Sequence, residues 1–243
     1  MATKLNPLEQ FSIERWIPIH VGGIDVSFTN SAALMALAAI LVTALVALGT
    51  SRAALVPGRW QSVAEIFYEF IANMVDENVG HEGRQYFPFV FTLFMFILLG
   101  NFLGLIPYSF TFTSHVVVTF ALAAVVFIGV TFIGIVRHGF HFLRLFVPTG
   151  VPLVLLVLLV PIELLSYCIR PFTLSIRLFA NMLAGHAILF IFGSFVVGLG
   201  IFGIVPLALE TAFVLLEVLV AALQAYVFAI LTCIYLRDAI HMH

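Results

Sequence analysis

Long uncharged apolar runs, each closed by a basic residue or a proline, set the rhythm of this chain. Residues 26–51 carry no charge and end at Arg52, and as a helix they are long enough to cross about 30 Å of hydrocarbon. After Pro57 and Gly58 the pattern changes: Val63, Ile66, Phe67, Phe70, Ile71 and Met74 fall on one helical face, with Gln61, Glu65, Glu69 and Asp76 elsewhere. That amphipathic period predicts an interfacial helix over 59–79. Residues 87–107 and 116–137 are again apolar and predict a helical hairpin, joined by an uncharged turn at 108–114. Pro148 and Pro152 open the least ordinary stretch, 149–195, which is apolar with polar residues set into it. From Val151 to Phe195 it would extend roughly 65 Å as one helix, about twice the thickness of a bilayer core. Such a helix lies steeply tilted, or it breaks near Arg170 and Pro171, where the proline removes a backbone donor. Pro206 opens the last segment, 206–238, which ends at Arg237 and Asp238.

Composition reinforces the pattern. The 243 residues are 63% hydrophobic and 9% charged, with 26 Phe, whereas soluble domains carry roughly 25% charged residues. The expected fold class is an all-α membrane protein: a single membrane domain over 1–243, with about five membrane-embedded helices and one amphipathic interfacial helix. A net charge of −2, with no basic stripe and no phosphate-cradling glycine loop, argues against nucleic acid and against a nucleotide site. Cys168 and Cys233 lie within apolar runs and read as small hydrophobes. Residues 1–25 are mixed polar and do not read as a signal peptide. With five crossings Arg52, Arg59, Arg84, Arg137, Arg144 and Arg237 share one side, which places the C-terminus in the cytoplasm and the N-terminus outside, although Lys4 and Arg15 run against the rule.

Against this apolar background the ionisable residues stand out. Glu163, Arg170 and Arg177 recur every seven residues, with Asn181 four further on, so they form one stripe along a helix, while His186 projects from roughly the opposite face. Glu210, Glu217 and Gln224 repeat the same spacing in the last segment. Each charge left bare at the bilayer centre costs about 2.5–3.5 kcal/mol, so these groups are paired, hydrated or functional. Arg177 is the sharpest case, because a guanidinium cannot escape burial by losing its proton. The ordinary alternative is that Arg170 pairs with Glu163 and Arg177 with Glu217 as salt bridges between and along helices.

Ser175, Ile176, Arg177, Leu178, Phe179, Ala180, Asn181 and Met182, continued by Leu183, Ala184, Gly185 and His186, closely resemble the central helix motif of subunit a of F-type ATP synthases. Asn101, Gly104, Leu105 and Pro107 are similar to that family's N-x-x-G-L-x-P motif, and Asn6, Pro7, Leu8, Glu9, Gln10 and Phe11 to the start of its alphaproteobacterial and mitochondrial members. The resemblance covers essentially the whole chain. It implies long, strongly tilted last helices (149–195 and 206–238), and a stator subunit pressed against a rotating ring of c subunits, with peripheral-stalk b subunits among its partners. It implies no catalytic site and no cofactor or metal on this chain, and two offset half-channels that load and unload the ring's carboxyl groups.

Carried onto this sequence, the resemblance makes Arg177 the essential stator charge, with Asn181 one turn along and Gln224 opposite. His186 and Glu217 fall at the coupled positions of the outer half-channel, exchanged relative to many other bacterial members. Glu163 matches the acidic position of the inner half-channel, to which Tyr167 and Thr173 are candidates. Asn101 and Glu210 are further candidates for the proton path, and Asn101 is equally suited to capping a helix near Gly104. Histidine exchanges protons near neutral pH, and a fixed cation repels a hydrated proton, so relay and barrier both have residues suited to them. The implied location is a bacterial inner membrane, with the mitochondrial inner membrane as the alternative. Two competing classes remain: a proton-coupled secondary transporter, disfavoured by the lack of an internal repeat, and a haem-binding anchor using His115, His186, His241 or His243.

Overall fold

A computed structural model describes residues 13–18, 20, 21, 24, 25, 27–51, 54, 56–106, 110–139, 142 and 153–241. Lys4, the 6–11 stretch, residue 26, Arg52, Pro107, Arg144, Pro148, Val151, Pro152 and His243, all used in the sequence reading, lie outside the described residues. Four short strands open the chain: β1 (Arg15–Ile17) pairs with β4 (Phe28–Thr29), and β2 (His20–Val21) with β3 (Ile24–Asp25), both antiparallel. This ribbon is an addition to the expected all-helical fold; strands of two or three residues are too short for a period of two to register in the sequence.

The helices are α1 (Asn30–Thr50), α2 (Arg59–Asn78), α3 (Phe87–Gly104), α4 (Val116–His138), α5 (Leu153–Gly198) and α6 (Ile204–Ile240). All but α2 are long and apolar enough to cross a membrane, which is the all-α membrane class that the composition implies. Thr29 caps α1, its hydroxyl accepting from the Ala32 amide at 3.3 Å, and so satisfies one donor that the first turn leaves open. Pro206 lies two residues inside α6 rather than at its start, a correction to the boundary expected there. The amides of a first helical turn have no partner within the helix, so proline is tolerated at that position.

α5 settles the alternative posed by its length. It runs unbroken for 46 residues with Pro161 and Pro171 inside it, so no break occurs near Arg170. Each proline removes a single backbone bond from a ladder of dozens, and in hydrocarbon no water competes for the rest. At 1.5 Å per residue α5 is about 69 Å long and α6 about 55 Å. Both exceed a bilayer core of about 30 Å and have to lie strongly tilted to remain within it.

The core draws on all six helices, most heavily on α3 and α6. Val90 and Ile97 of α3, Ala123 and Val126 of α4, and Leu174 and Leu178 of α5 are buried there. Ala221, Ala225, Ala229 and Cys233 are all fully buried on α6 at intervals of four, a stripe of small side chains that lets neighbouring helices approach closely. The buried part of α2 is centred on Ile71, Met74 and Val75, while Val63, Ile66 and Phe70 of the predicted apolar face are exposed at the bundle's edge. At one end of the bundle Arg137 pairs with Glu82, Arg84 with Asp76 at 2.8 Å, and His138 Nε2 meets the Ile240 carbonyl at 3.1 Å. The Arg84 guanidinium holds the Asp76 carboxyl below the usual carboxylate range.

The helices differ greatly in how far their own chain covers them. Half of the apolar span of α3 is buried, against 6% for α5. A helix that is apolar and yet uncovered by its own chain requires lipid or another subunit alongside it.

Candidate functional site

The antiparallel hairpin of α5 and α6 arranges the polar residues in levels, counted from the turn at Gly200–Gly203. Nearest the turn, half-buried Glu210 lies over Gly193 of α5, its Oε1 3.5 Å from where a Cβ would stand. Glu217 comes next, 6% exposed, with its Oε1 4.0 Å from His186 Nε2. Gly185 makes room for this carboxyl: a Cβ there would collide with the Glu217 side chain. Thr111, from the turn between α3 and α4, meets His186 Nε2 from another side at 2.8 Å.

One level further in, Asn181 Nδ2 donates to Gln224 Oε1 at 2.9 Å. Asn181 and His186, five residues apart on α5, therefore both reach α6 partners, one from each flank of the helix. The wheel's placement of His186 roughly opposite the stripe does not keep it from the site. Asn101, 0% exposed, donates from Nδ2 to the Ala221 carbonyl of α6 at 3.2 Å, which ties α3 to the site. It forms this tertiary bond rather than a helix cap.

Several buried polar atoms here have no hydrogen-bond partner among the described residues: both carboxyl oxygens of Glu217, Oδ1 of Asn101 and Nε2 of Gln224. An unpaired buried polar atom costs about 1–3 kcal/mol, so each marks a place for water or for another subunit. They lie on facing parts of α3 and α6, beside the His186–Glu217 pair.

Arg177 does not take Glu217, the partner offered to it by the salt-bridge alternative. Its side chain is exposed, and it forms no hydrogen bond or ion pair with Glu217 or any other described residue. Thr173, Ile176, Ala180 and Ala184 are exposed on the same side of α5. A permanent charge on an open apolar face, flanked by two alanines, leaves space for another backbone to come close.

Arg170 is different and requires a correction. Its Nη1 lies 3.4 Å from Asp238 Oδ2 at the end of α6, and its guanidinium sits over the rings of Tyr167 and Tyr235 at 5.2 and 4.8 Å. Glu163 is not its partner: seven residues of helix separate the two by about 10 Å, whereas helical ion pairs form at three or four. Tyr167 in turn bonds Thr131 of α4 at 2.6 Å, and Thr173 Oγ1 donates back to the Arg170 carbonyl at 3.0 Å. Neither joins Glu163, which is half-buried on α5. The sequence reading missed Thr111, Gly185, Tyr235 and Asp238 as site neighbours. The one available signal was the cluster of hydroxyls at Thr111, Thr113 and Ser114 in a turn between apolar helices.

The Arg170 cluster leads to a modest expectation. A partly exposed ion pair contributes about 0–1 kcal/mol, and cation–π contacts of this kind about 0.5–1 kcal/mol each. Arg170→Gln should therefore reduce the yield of assembled protein while retaining most of its transport per molecule. Equal losses of proton flux in Arg170→Gln and Arg177→Gln, normalised to assembled protein, would show that the two arginines have been ranked wrongly.

Comparison with known proteins identifies the family of the chain. The family model described as ATP synthase A chain matches residues 32–237, which include α1 to α5 and nearly all of α6. Named relatives are ATP synthase subunit a of Paramagnetospirillum magneticum, 59% identical over 98% of this chain and 99% of the relative, and of Rhodospirillum rubrum, 57% identical over 98% and 99%. That of Mesorhizobium japonicum is 53% identical over 99% of this chain and 98% of the relative. With a family match over six helices and relatives more than half identical along nearly their whole length, the chain belongs to the ATP synthase A chain family.

Proposed function

We propose that this chain is the proton-conducting stator subunit of an F-type ATP synthase, lodged in a bacterial inner membrane against a ring of c subunits. Peripheral-stalk b subunits are further partners in the same assembly. The observation that carries this reading is Arg177, uncovered and without an ion-pair partner among the described residues, on the least buried of the five described spans.

A cation in hydrocarbon needs a counter-charge, and the ring supplies one as each carboxyl group passes. At about 4 Å and an effective dielectric near 20, Arg177 would favour the ionised form of such a carboxyl by about 4 kcal/mol. That exceeds the roughly 2.3 kcal/mol a proton gains from 100 mV. A carboxyl that has lost its proton to the inner side is therefore held ionised until it has passed the arginine. The same charge repels protons and separates the two half-channels.

On the outer side, His186 and Glu217 pass the proton inward, with waters held at Glu217, Asn101 and Gln224, the unpaired atoms beside them. Glu210 lies toward the turn and forms the mouth of this path. The Asn181–Gln224 bond joins α5 to α6 between the relay and Arg177. On the inner side Glu163 receives the proton released after rotation. This chain makes no ATP itself; it turns proton entry and exit into a direction of rotation.

Cross-linking tests where the ring sits. In the assembled complex, Ala180→Cys on the Arg177 side of α5 should form disulfides with cysteines introduced into c subunits. Ile135→Cys, exposed on α4, should not. Efficient cross-linking from position 135 with none from 180 would place the rotor elsewhere and defeat the proposal.

A further inference from the structure

We infer that Thr111 is a positioning residue for the proton relay, its hydroxyl holding the His186 imidazole beside Glu217 in both of the ring's protonation states. This rests on the reading that His186 and Glu217 carry protons, and it adds a residue from outside the α5–α6 hairpin to that path.

Thr111 is 2% exposed and stands at the turn that joins α3 to α4, immediately before Phe112–Ser114. Its Oγ1 is 3.2 Å from the Gly104 carbonyl and 2.8 Å from His186 Nε2. Gly104 is what allows so close an approach, since a Cβ there would stand 2.7 Å from Oγ1 and 2.6 Å from Cγ2 of Thr111. The hydroxyl is therefore fixed between the end of α3 and the His186 ring.

A hydroxyl has one hydrogen and can accept through its oxygen, whereas a backbone carbonyl only accepts. When Nε2 carries a proton, it donates to Oγ1 and the hydroxyl hydrogen points to Gly104. When Nε2 has given its proton up, the hydroxyl turns about Cβ–Oγ and donates to Nε2 instead. The ring nitrogen is hydrogen-bonded to Thr111 before the exchange and after it. A proton leaving Nε2 has Glu217 Oε1 4.0 Å away, a gap that one water or a small side-chain shift closes. The step balances when the doubly protonated ring turns its Nε2–H from Oγ1 toward Glu217: Nε2 loses that proton, leaving a neutral ring protonated at Nδ1, the Glu217 carboxylate gains it, and the ring returns to accept from the Thr111 hydroxyl.

The roles differ in what they predict. A threonine that merely terminates α3 would affect assembly, and its loss would add to any change at His186. A positioning residue acts through His186 and has no separate effect once the imidazole is gone.

The test is passive proton flux through the complete complex in vesicles, normalised to assembled complex. Thr111→Val, which keeps the shape and removes the hydroxyl, should lower flux about tenfold, the scale of one hydrogen bond to an ionisable group. Thr111→Ser should recover most of it. In a His186→Gln background, Thr111→Val should cause no further loss. Wild-type flux in Thr111→Val, failure of Ser to rescue, or additive losses in the double variant would each overturn the assignment.

A second measurement needs no variant at Thr111. In the ¹⁵N-histidine-labelled wild-type complex, the His186 signal, assigned by its loss in His186→Gln, should report a hydrogen-bonded Nε2. An Nε2 exposed to bulk water overturns the assignment even if Thr111→Val fails to assemble. Normal flux in His186→Gln alone would instead overturn the proton path itself. Low flux in His186→Gln with normal flux in Thr111→Val would remove only the role of Thr111.

Discussion

Membranes carrying the complex with Arg177→Ala should show no proton-driven ATP synthesis above background and no ATP-driven proton pumping. The expectation follows from a charge that no described residue of its own chain pairs with. If Arg177 were a structural salt bridge, its loss would leave an acid partner stranded, and stability would fall first. Here no acid is stranded, because Glu217 faces His186 instead. The complex should therefore assemble in near-normal amounts while its coupled activity is lost. The barrier between half-channels goes with the charge, so passive leak should persist or rise. ATP-driven pumping at normal levels in assembled Arg177→Ala complex would end this account.

Exchanging the relay pair should give the second large effect. His186→Glu alone sets two carboxyls against each other, and Glu217→His alone sets two imidazoles in the same space. Each single change should lower proton flux by about 10² or more, the scale on which a positioned acid–base group contributes to proton transfer. The double change restores one imidazole and one carboxyl across the same 4.0 Å gap and should recover a substantial part of the flux. Recovery need not be complete, since Thr111 and Gly185 are fitted to the present arrangement. The readout is the coupling energy of the double-mutant cycle in passive flux. Strictly additive losses would show that the two residues do not act as a pair.

Much of this protein was legible along the chain because a membrane imposes one strong rule. Backbone groups in hydrocarbon must be satisfied within helices, so long uncharged runs have few alternatives to helical spans. The same rule makes an arginine in such a run conspicuous, which is how Arg177 could be singled out before any contact was known. The seven-residue recurrence on α6 likewise brought Glu217 and Gln224 into view, while Asn181 and His186 stood out as polar residues in the apolar run after Arg177. They did not say who meets whom: the periodicity suggested Glu163 for Arg170, and the hairpin supplies Asp238 instead.

What the sequence alone determined is the helical class, the amphipathic character of α2 and the identity of the charges that hydrocarbon must tolerate. These follow from local rules: composition, the 3.6-residue period and the cost of a buried ion. Tertiary structure decided that α5 continues through Pro171, that Thr111 comes from a distant turn to His186, and that Arg177 is left uncovered while Glu217 is enclosed. Those outcomes depend on the crossing of α5 over α6 and on the α3–α4 turn beside them. Such contacts join residues up to 120 positions apart, as Asn101 and Ala221 do, and no periodicity within one helix encodes them.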